Sequence, residues 1–133
     1  MCKRITTSVL ILVMALVLGI APLYGGMKGE ALTANLTGAG GHHAAGTAMV
    51  THEGNTFRLV MSDITVDRVP DGRVYLANDA NYGNGVELGR LTKFTGTVTF
   101  PVPAGINPHD YNSVVIWCKR FDVEIGHGFF EHK

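Results

Sequence analysis

Apolar and polar residues alternate with period two through much of the chain beyond residue 30, which predicts β-strands with one buried face. No stretch outside the first 26 residues shows helical apolar periodicity, so no helix is expected there. The alternation is clearest in three successive groups. These groups are Ala48 and Val50, then Phe57, Leu59 and Met61, then Ile64 and Val66.

Turn-forming residues separate these strands from the next ones. Pro70-Asp71-Gly72 predicts a turn before a strand at Arg73–Ala77, because proline presets φ and glycine accepts a positive φ. Asn78–Gly85 is rich in asparagine and glycine, and we expect it to form a surface loop. Thr95–Val102 alternates again, and the prolines near its end predict an edge strand or a strand end.

The most apolar strand is Ser113–Cys118, which reads SVVIWC. Its lack of alternation is typical of a strand buried on both faces in the middle of a sheet. Phe121, Val123 and Ile125 then alternate through a final strand. Short strands spaced about ten residues apart predict an all-β fold, an antiparallel β-sandwich of jelly-roll or immunoglobulin-like type.

Residues 1–26 have a different character. Lys3 and Arg4 precede the uncharged apolar run from Val9 to Ala21, which is the pattern of a signal peptide. The apolar span from Ile5 to Leu23 approaches the length that crosses a bilayer, so a membrane anchor is the alternative. We therefore expect one domain at residues 35–131 that is secreted or periplasmic, or membrane-anchored where the segment is retained.

Composition narrows the classes of partner. The 133 residues include 11 lysines and arginines against 11 acidic residues, and no basic stripe interleaves with aromatic residues. Nucleic-acid binding is therefore not favoured. With 46% hydrophobic and 17% charged residues, the chain is too apolar to be disordered.

Cysteine usage gives the first candidate for chemistry. Of the two cysteines, Cys2 lies in the leader-like segment and Cys118 in the apolar strand, so the exported domain keeps a cysteine with no partner in its own chain. Cys118 is then free, intermolecular or a ligand. Lys119 and Arg120 follow it and favour the reactive thiolate. The alternative is that Cys118 packs as a small hydrophobe.

Histidines offer possible partners for that sulfur. The sequence has six, and His42-His43 stands in a glycine-rich loop, but none has a recognised metal-ligand spacing. Cys118 joined in space by these histidines would suit haem iron, copper or zinc, and the identity of the cofactor stays open. The alternative is that both histidines are solvated loop residues.

A series of short motifs runs in order through the chain: Gly41-His42-His43, Ala45-Gly46-Thr47, Pro70-Asp71, Val74-Tyr75-Leu76, Leu88-Gly89, Pro103-Ala104-Gly105, Tyr111 to Cys118, Phe121, and Val123-Glu124-Ile125-Gly126. These ordered motifs resemble the DM-thirteen domain family, an exported electron-transfer-type module also found beside DOMON domains in Skeletor-like proteins. The resemblance covers about residues 36–130 and implies a β-sandwich. It matches the family's characteristic cysteine to Cys118 and implies a redox role for it, as a bare thiol or as a ligand to haem or another group.

The sequence therefore favours an exported redox or electron-transfer module whose partner is a redox protein or a surface component. Its candidate site consists of Cys118, supported by Trp117, with His42 and His43 as candidate cofactor ligands. The alternative is a non-catalytic extracellular binding or adhesion module in which Cys118 is structural. A substrate-turning enzyme is not favoured, because no acid/base pair or nucleophile pattern emerges.

Overall fold

The computed structural model describes residues 31–131. The predicted signal peptide or anchor at 1–26, with Cys2, lies outside the described residues and stays a prediction. The described part of the chain holds no helix with the length and apolar character that a membrane span needs. Its regular elements are β1 Leu32–Asn35, β2 Thr37–Gly38, β3 Ala44–Glu53, β4 Thr56–Val66, β5 Gly72–Asn78, β6 Asn81–Arg90, β7 Thr95–Pro101, a 3-10 turn Pro108–Asp110, β8 Ser113–Cys118 and β9 Val123–Glu131.

All the strand pairings are antiparallel, which confirms the predicted all-β class. The strands form one curled sheet in the order β6-β5-β8-β9-β1-β3-β4-β7, with β2 also paired to β9. β9 joins the two halves, because it pairs with β8 over most of its length and with β1 at its last residues. The layers β6-β5-β8-β9 and β1-β3-β4-β7 thus enclose one apolar core.

Two of the predicted alternating groups belong to a single strand, β4. Leu59 and Met61 are buried, the phase then changes, and Ile64 and Val66 are buried instead. The change occurs at Asp63, which has a φ of 52°, and the pairing with β7 shifts at the same place. This β-bulge keeps both apolar groups on the core face.

β8 is a central strand, as its unbroken apolar sequence predicts. It pairs with β5 on one side and with β9 on the other. Val114, Ile116 and Cys118 lie in the main core, whereas Val115 joins a smaller apolar cluster with Tyr75 and Ala77. Alternate side chains of a strand point to opposite faces, so this smaller cluster lies on the outer face of the β6-β5-β8-β9 layer.

The prediction of a surface loop at Asn78–Gly85 is wrong, because most of this segment belongs to β6. The chain turns tightly at Asp79 and Ala80, which have φ values of 57° and 55°, and β6 begins at Asn81. The amides of Asp79 and Ala80 donate to side-chain oxygens of Asn112 and Ser113, at 2.8 and 3.0 Å. These distant hydrogen bonds hold two non-glycine residues in a conformation that the local sequence does not favour.

The edge and the end of the sheet follow the sequence with one adjustment. β7 is the outermost strand on its side, which confirms the edge position that its prolines predict. The last strand begins at Val123 rather than at Phe121, whose side chain is 62% exposed. Asp122, with a φ of 55°, turns the chain between them.

Candidate functional site

Cys118 lies inside the sandwich, at the end of β8. Its exposed fraction is 0%, and every other member of its buried cluster is apolar. Opposite it stand Gly72 on β5 and Val123 on β9. Within residues 31–131 it has no disulfide partner. The surroundings of the thiol are those of a small buried hydrophobe.

His42 and His43 lie in the loop between β2 and β3, and both contact Asp67. The His43 amide donates to the Asp67 carboxylate at 2.9 Å, and the Asp67 amide donates back to the His43 carbonyl at 2.9 Å. His42 Nδ1 lies 3.6 Å from the same carboxylate. These contacts fasten the histidine loop to the β4–β5 loop at the surface.

Cys118, His42 and His43 do not come together as one metal-binding group in the described part of the chain. The sulfur has no exposure, and among the described residues no group of three or more histidine, cysteine or acidic side chains is close enough to hold a metal ion. A cavity of about 560 Å³ is lined by Phe57, Ile106 and His109 among others. These residues belong to the start of β4 and the loop that precedes β8, so the cavity is at the opposite end of the sandwich from Cys118.

The outer face of the β6-β5-β8-β9 layer carries a different constellation, which we call the aromatic cluster: Trp117, Tyr82 and Tyr75. Trp117 and Tyr82 are stacked, with ring centroids 3.9 Å apart and an interplanar angle of 25°. Tyr82 meets Tyr75 edge to face at 5.7 Å. The separation of Tyr82 and Tyr75 is typical of favourable aromatic pairs, and that of Trp117 and Tyr82 is shorter than usual. The neighbouring strands β5, β6 and β8 thus each supply one ring to a continuous series of aromatic contacts.

Strand alternation and pairing register place these rings together. Because Cys118 points into the core, Trp117 points outward. In the register of β5 and β8, Arg73 stands opposite Trp117, and Tyr75 opposite Val115. The β5–β6 pairing is irregular near Leu76, and a Cβ at Gly85 would collide with the Leu76 carbonyl. Glycine therefore allows β6 to approach β5 closely in the strand that carries Tyr82.

Charged side chains border the aromatic cluster. The Tyr75 hydroxyl donates to Glu87 Oε1 at 3.1 Å, and Glu87 also accepts from Arg73 at 3.1 Å and from Lys119 at 3.4 Å. Tyr82 donates to Asp122 at 3.3 Å. Each tyrosine of the cluster thus has a carboxylate as its hydrogen-bond acceptor.

The pKa values of this network are shifted. Burial, with the hydrogen bond to Glu87, raises the pKa of Tyr75 to about 12. Burial works to raise the pKa of Glu87, but the hydrogen bond from Tyr75 and the charges of Lys119 and Arg73 outweigh it and lower that pKa. The hydrogen bond from Arg73 lowers the pKa of Asp71. At neutral pH the phenol is therefore protonated and Glu87 is ionised.

The raised pKa of Tyr75 has a consequence for stability in alkali. Unfolded Tyr75 ionises near pH 10 and folded Tyr75 near pH 12, so the stabilisation is complete below pH 10 and is lost as the pH rises toward 12. We expect Tyr75→Phe to remove this part of the alkaline loss, whereas Tyr111→Phe retains it. Urea unfolding at a series of pH values measures it, and equal alkaline losses in both variants would contradict the assignment.

Sequence patterns identify part of this site. The one-residue offset between Trp117 and Cys118 already predicts opposite faces. Tyr82 and Glu87 were missed because they fall in or beside the predicted loop, and no local signal connects them with Tyr75. Their meeting depends on which strands pair.

Comparison with known proteins supplies a finding of a different kind. A family model described as electron transfer DM13 matches residues 36–130, a range that contains the aromatic cluster and Cys118. No curated protein and no solved structure matches the chain.

Proposed function

Because this chain belongs to the family of electron transfer DM13 domains, we propose that it is an electron-transfer module that uses the aromatic cluster of Trp117, Tyr82 and Tyr75. The observation that carries the proposal is the stack of Trp117 on Tyr82 at 3.9 Å. Indole and phenol rings give up single electrons more readily than most side chains. Trp117 and Tyr82 are both half-buried, so an electron acceptor at the surface can approach the stack.

The position of Cys118 assigns it a supporting part in this proposal. Thiol redox chemistry with a reagent or partner from outside needs an accessible thiolate, and the exposed fraction of Cys118 is 0%. A redox role for the lone cysteine, which the family resemblance implies, therefore requires local opening of this end of the sandwich. In the closed fold Cys118 packs beneath the strand that presents Trp117.

The proposal is tested by the rate at which photogenerated tris(bipyridine)ruthenium(III) oxidises the full chain, followed by transient absorption. Trp117 is the only tryptophan of the chain, so its radical is identified directly. We expect Trp117→Phe to lower the rate about tenfold, which corresponds to about 1.4 kcal/mol in the barrier.

The control for this experiment is Phe129→Leu. Phe129 is an exposed aromatic residue of β9 that lies outside the aromatic cluster, and its loss leaves the stack intact. This variant should keep the wild-type rate. Equal rates in the wild type and Trp117→Phe would overturn the proposal.

A second candidate function is a binding or adhesion module in which Cys118 is structural. The complete burial of Cys118 among apolar residues favours it. It predicts that the stack has no special part in oxidation, so that Trp117→Phe lowers the oxidation rate no more than Phe129→Leu does. That result would select this candidate over the first.

We place the module outside the cytoplasm, with a redox protein of the same compartment as its partner. The leader-like residues 1–26 and the odd cysteine of the remaining chain support this location. Mass spectrometry of the protein from its native source decides it. An intact, formylated or acetylated N-terminus on a soluble cytoplasmic protein would refute it.

A further inference from the structure

Tyr75 differs from the other members of the aromatic cluster in having both a buried ring and a fixed proton acceptor. Its exposed fraction is 6%, and its hydroxyl donates to Glu87 at 3.1 Å. Arg73 and Lys119 hold Glu87 in place from two sides. The phenol proton thus has a defined destination inside a packed surface.

We infer that Tyr75 and Glu87 form a proton-coupled redox pair, in which Tyr75 reduces an oxidised Trp117 and delivers its proton to Glu87. This inference rests on the proposed electron-transfer function, and it names Tyr75 as the residue that carries the radical at the end. The contacts that connect the two rings run through Tyr82, at 3.9 Å from Trp117 and 5.7 Å from Tyr75.

The step is balanced in charge and atoms. A one-electron oxidant, such as an oxidised metal centre of a partner protein, first takes an electron from Trp117 and leaves the indole radical cation. One electron then passes from Tyr75 to Trp117, while the O–H bond of Tyr75 breaks and its proton bonds to a Glu87 oxygen. The products are neutral Trp117, a neutral tyrosyl radical and a protonated Glu87.

The proton transfer is what makes Tyr75 a suitable end point. A phenol that loses an electron becomes a far stronger acid than a carboxylic acid, so a carboxylate in hydrogen-bond contact accepts its proton. The acceptor is ready at neutral pH, because the charges around Glu87 keep it ionised. Without such an acceptor, oxidation of the phenol leaves a charged radical in a poorly solvated place.

Tyr82 is less suited to this part, although it touches Trp117 directly. Its hydrogen bond to Asp122 is longer, at 3.3 Å, and Asp122 is an exposed residue of the β8–β9 turn. Glu87, in contrast, is half-buried and makes three hydrogen bonds. We therefore assign Tyr82 to electron passage and Tyr75 to the stable radical.

Electron paramagnetic resonance of samples frozen after ruthenium(III) oxidation tests this inference. The wild type should give a tyrosyl radical. In Tyr75→Phe and in Glu87→Gln that signal should be lost and replaced by the tryptophan radical, because the glutamine still accepts a hydrogen bond but takes no proton. Tyrosyl formation in the wild type should also slow in deuterated water.

Two control variants isolate the pair. Tyr111→Phe removes a tyrosine outside the aromatic cluster, so it should retain the tyrosyl signal. Asp71→Asn removes a carboxylate that binds Arg73 but does not contact Tyr75, and it should also retain the signal. Circular dichroism of each variant confirms that it is folded.

The outcomes separate this inference from the function on which it rests. A tryptophan radical as the final signal in the wild type, or a tyrosyl signal that survives in Tyr75→Phe or Glu87→Gln, would overturn the inference and leave electron transfer through Trp117 standing. The absence of any protein radical in the wild type would overturn both.

Discussion

Cys118→Asp is expected to destabilise the domain at pH 7 by about 3–5 kcal/mol, the range for an unpaired charge left in a protein interior. The wild-type side chain is fully buried in an apolar cluster, and the described residues hold no unpaired buried side-chain nitrogen or oxygen that could meet an introduced carboxylate. A loss of this size approaches the total stability of many small domains. Urea unfolding monitored by circular dichroism measures it.

The effect of this substitution depends on pH in a defined direction. Burial raises the pKa of the introduced carboxyl above the unfolded value of about 3.9. The neutral form is therefore favoured in the fold, and the penalty shrinks below about pH 4 and grows as the pH rises.

Cys118→Ala is the matched control for Cys118→Asp. It removes the sulfur without adding charge and should cost about 1–2 kcal/mol at every pH. If the aspartate variant equalled the alanine variant at pH 7, the sulfur position would be open to water or to a polar partner.

Gly126→Ala is expected to cost about 3 kcal/mol, the upper part of the range for overpacking a filled site. A Cβ on Gly126 would lie 2.6 Å from the Thr37 carbonyl oxygen and 2.6 Å from the Ala44 Cβ. Gly126 pairs with Gly38 of β2 and with Ile116 of β8. The backbone around it is therefore held on both sides and cannot shift to make room for a Cβ.

Gly83→Ala is the control for the glycine prediction. Its Cβ would meet only the side-chain oxygen of Asn81, at 3.2 Å, and that side chain is able to rotate away. We expect a change within about 0.5 kcal/mol, as for ordinary surface substitutions. Equal losses in the two variants would mean that the contact of β2 and β3 with β9 is looser than described.

Local sequence patterns predicted most of the strands, but they did not predict the tight turn that joins β5 to β6. The unbroken apolar run of β8 correctly indicated burial on both faces, and the prolines of β7 correctly indicated an edge. The turn at Asp79 and Ala80 was unpredictable from its neighbours, because Asn112 and Ser113 hold it from a distant part of the chain.

The candidate site shows the same limit more sharply. Alternation placed Trp117 and Cys118 on opposite faces, but it did not say which of them faces the core. Pairing decides that question, because Cys118 stands opposite Gly72 and Trp117 opposite Arg73. Tyr82 and Trp117 are far apart in sequence, and their stacking depends on the order β6-β5-β8 within the sheet.

The neighbouring residues Trp117 and Cys118 lie on opposite faces of β8 in this electron transfer DM13 domain. The sulfur lies in the core, and the half-buried indole stacks on Tyr82, which in turn contacts Tyr75. In the function we propose, Cys118 packs beneath the strand that presents Trp117. Redox chemistry on the outer face would then need no opening of the sandwich.

Oxidation of Cys118→Ala and Trp117→Phe side by side, with the same ruthenium(III) oxidant, separates the indole from the thiol most directly. We predict that Cys118→Ala is oxidised at the wild-type rate and forms the same radicals, while Trp117→Phe is oxidised about tenfold more slowly and forms no tryptophan radical. Loss of the radicals in Cys118→Ala, together with their persistence in Trp117→Phe, would mean that the electrons pass through the sulfur instead.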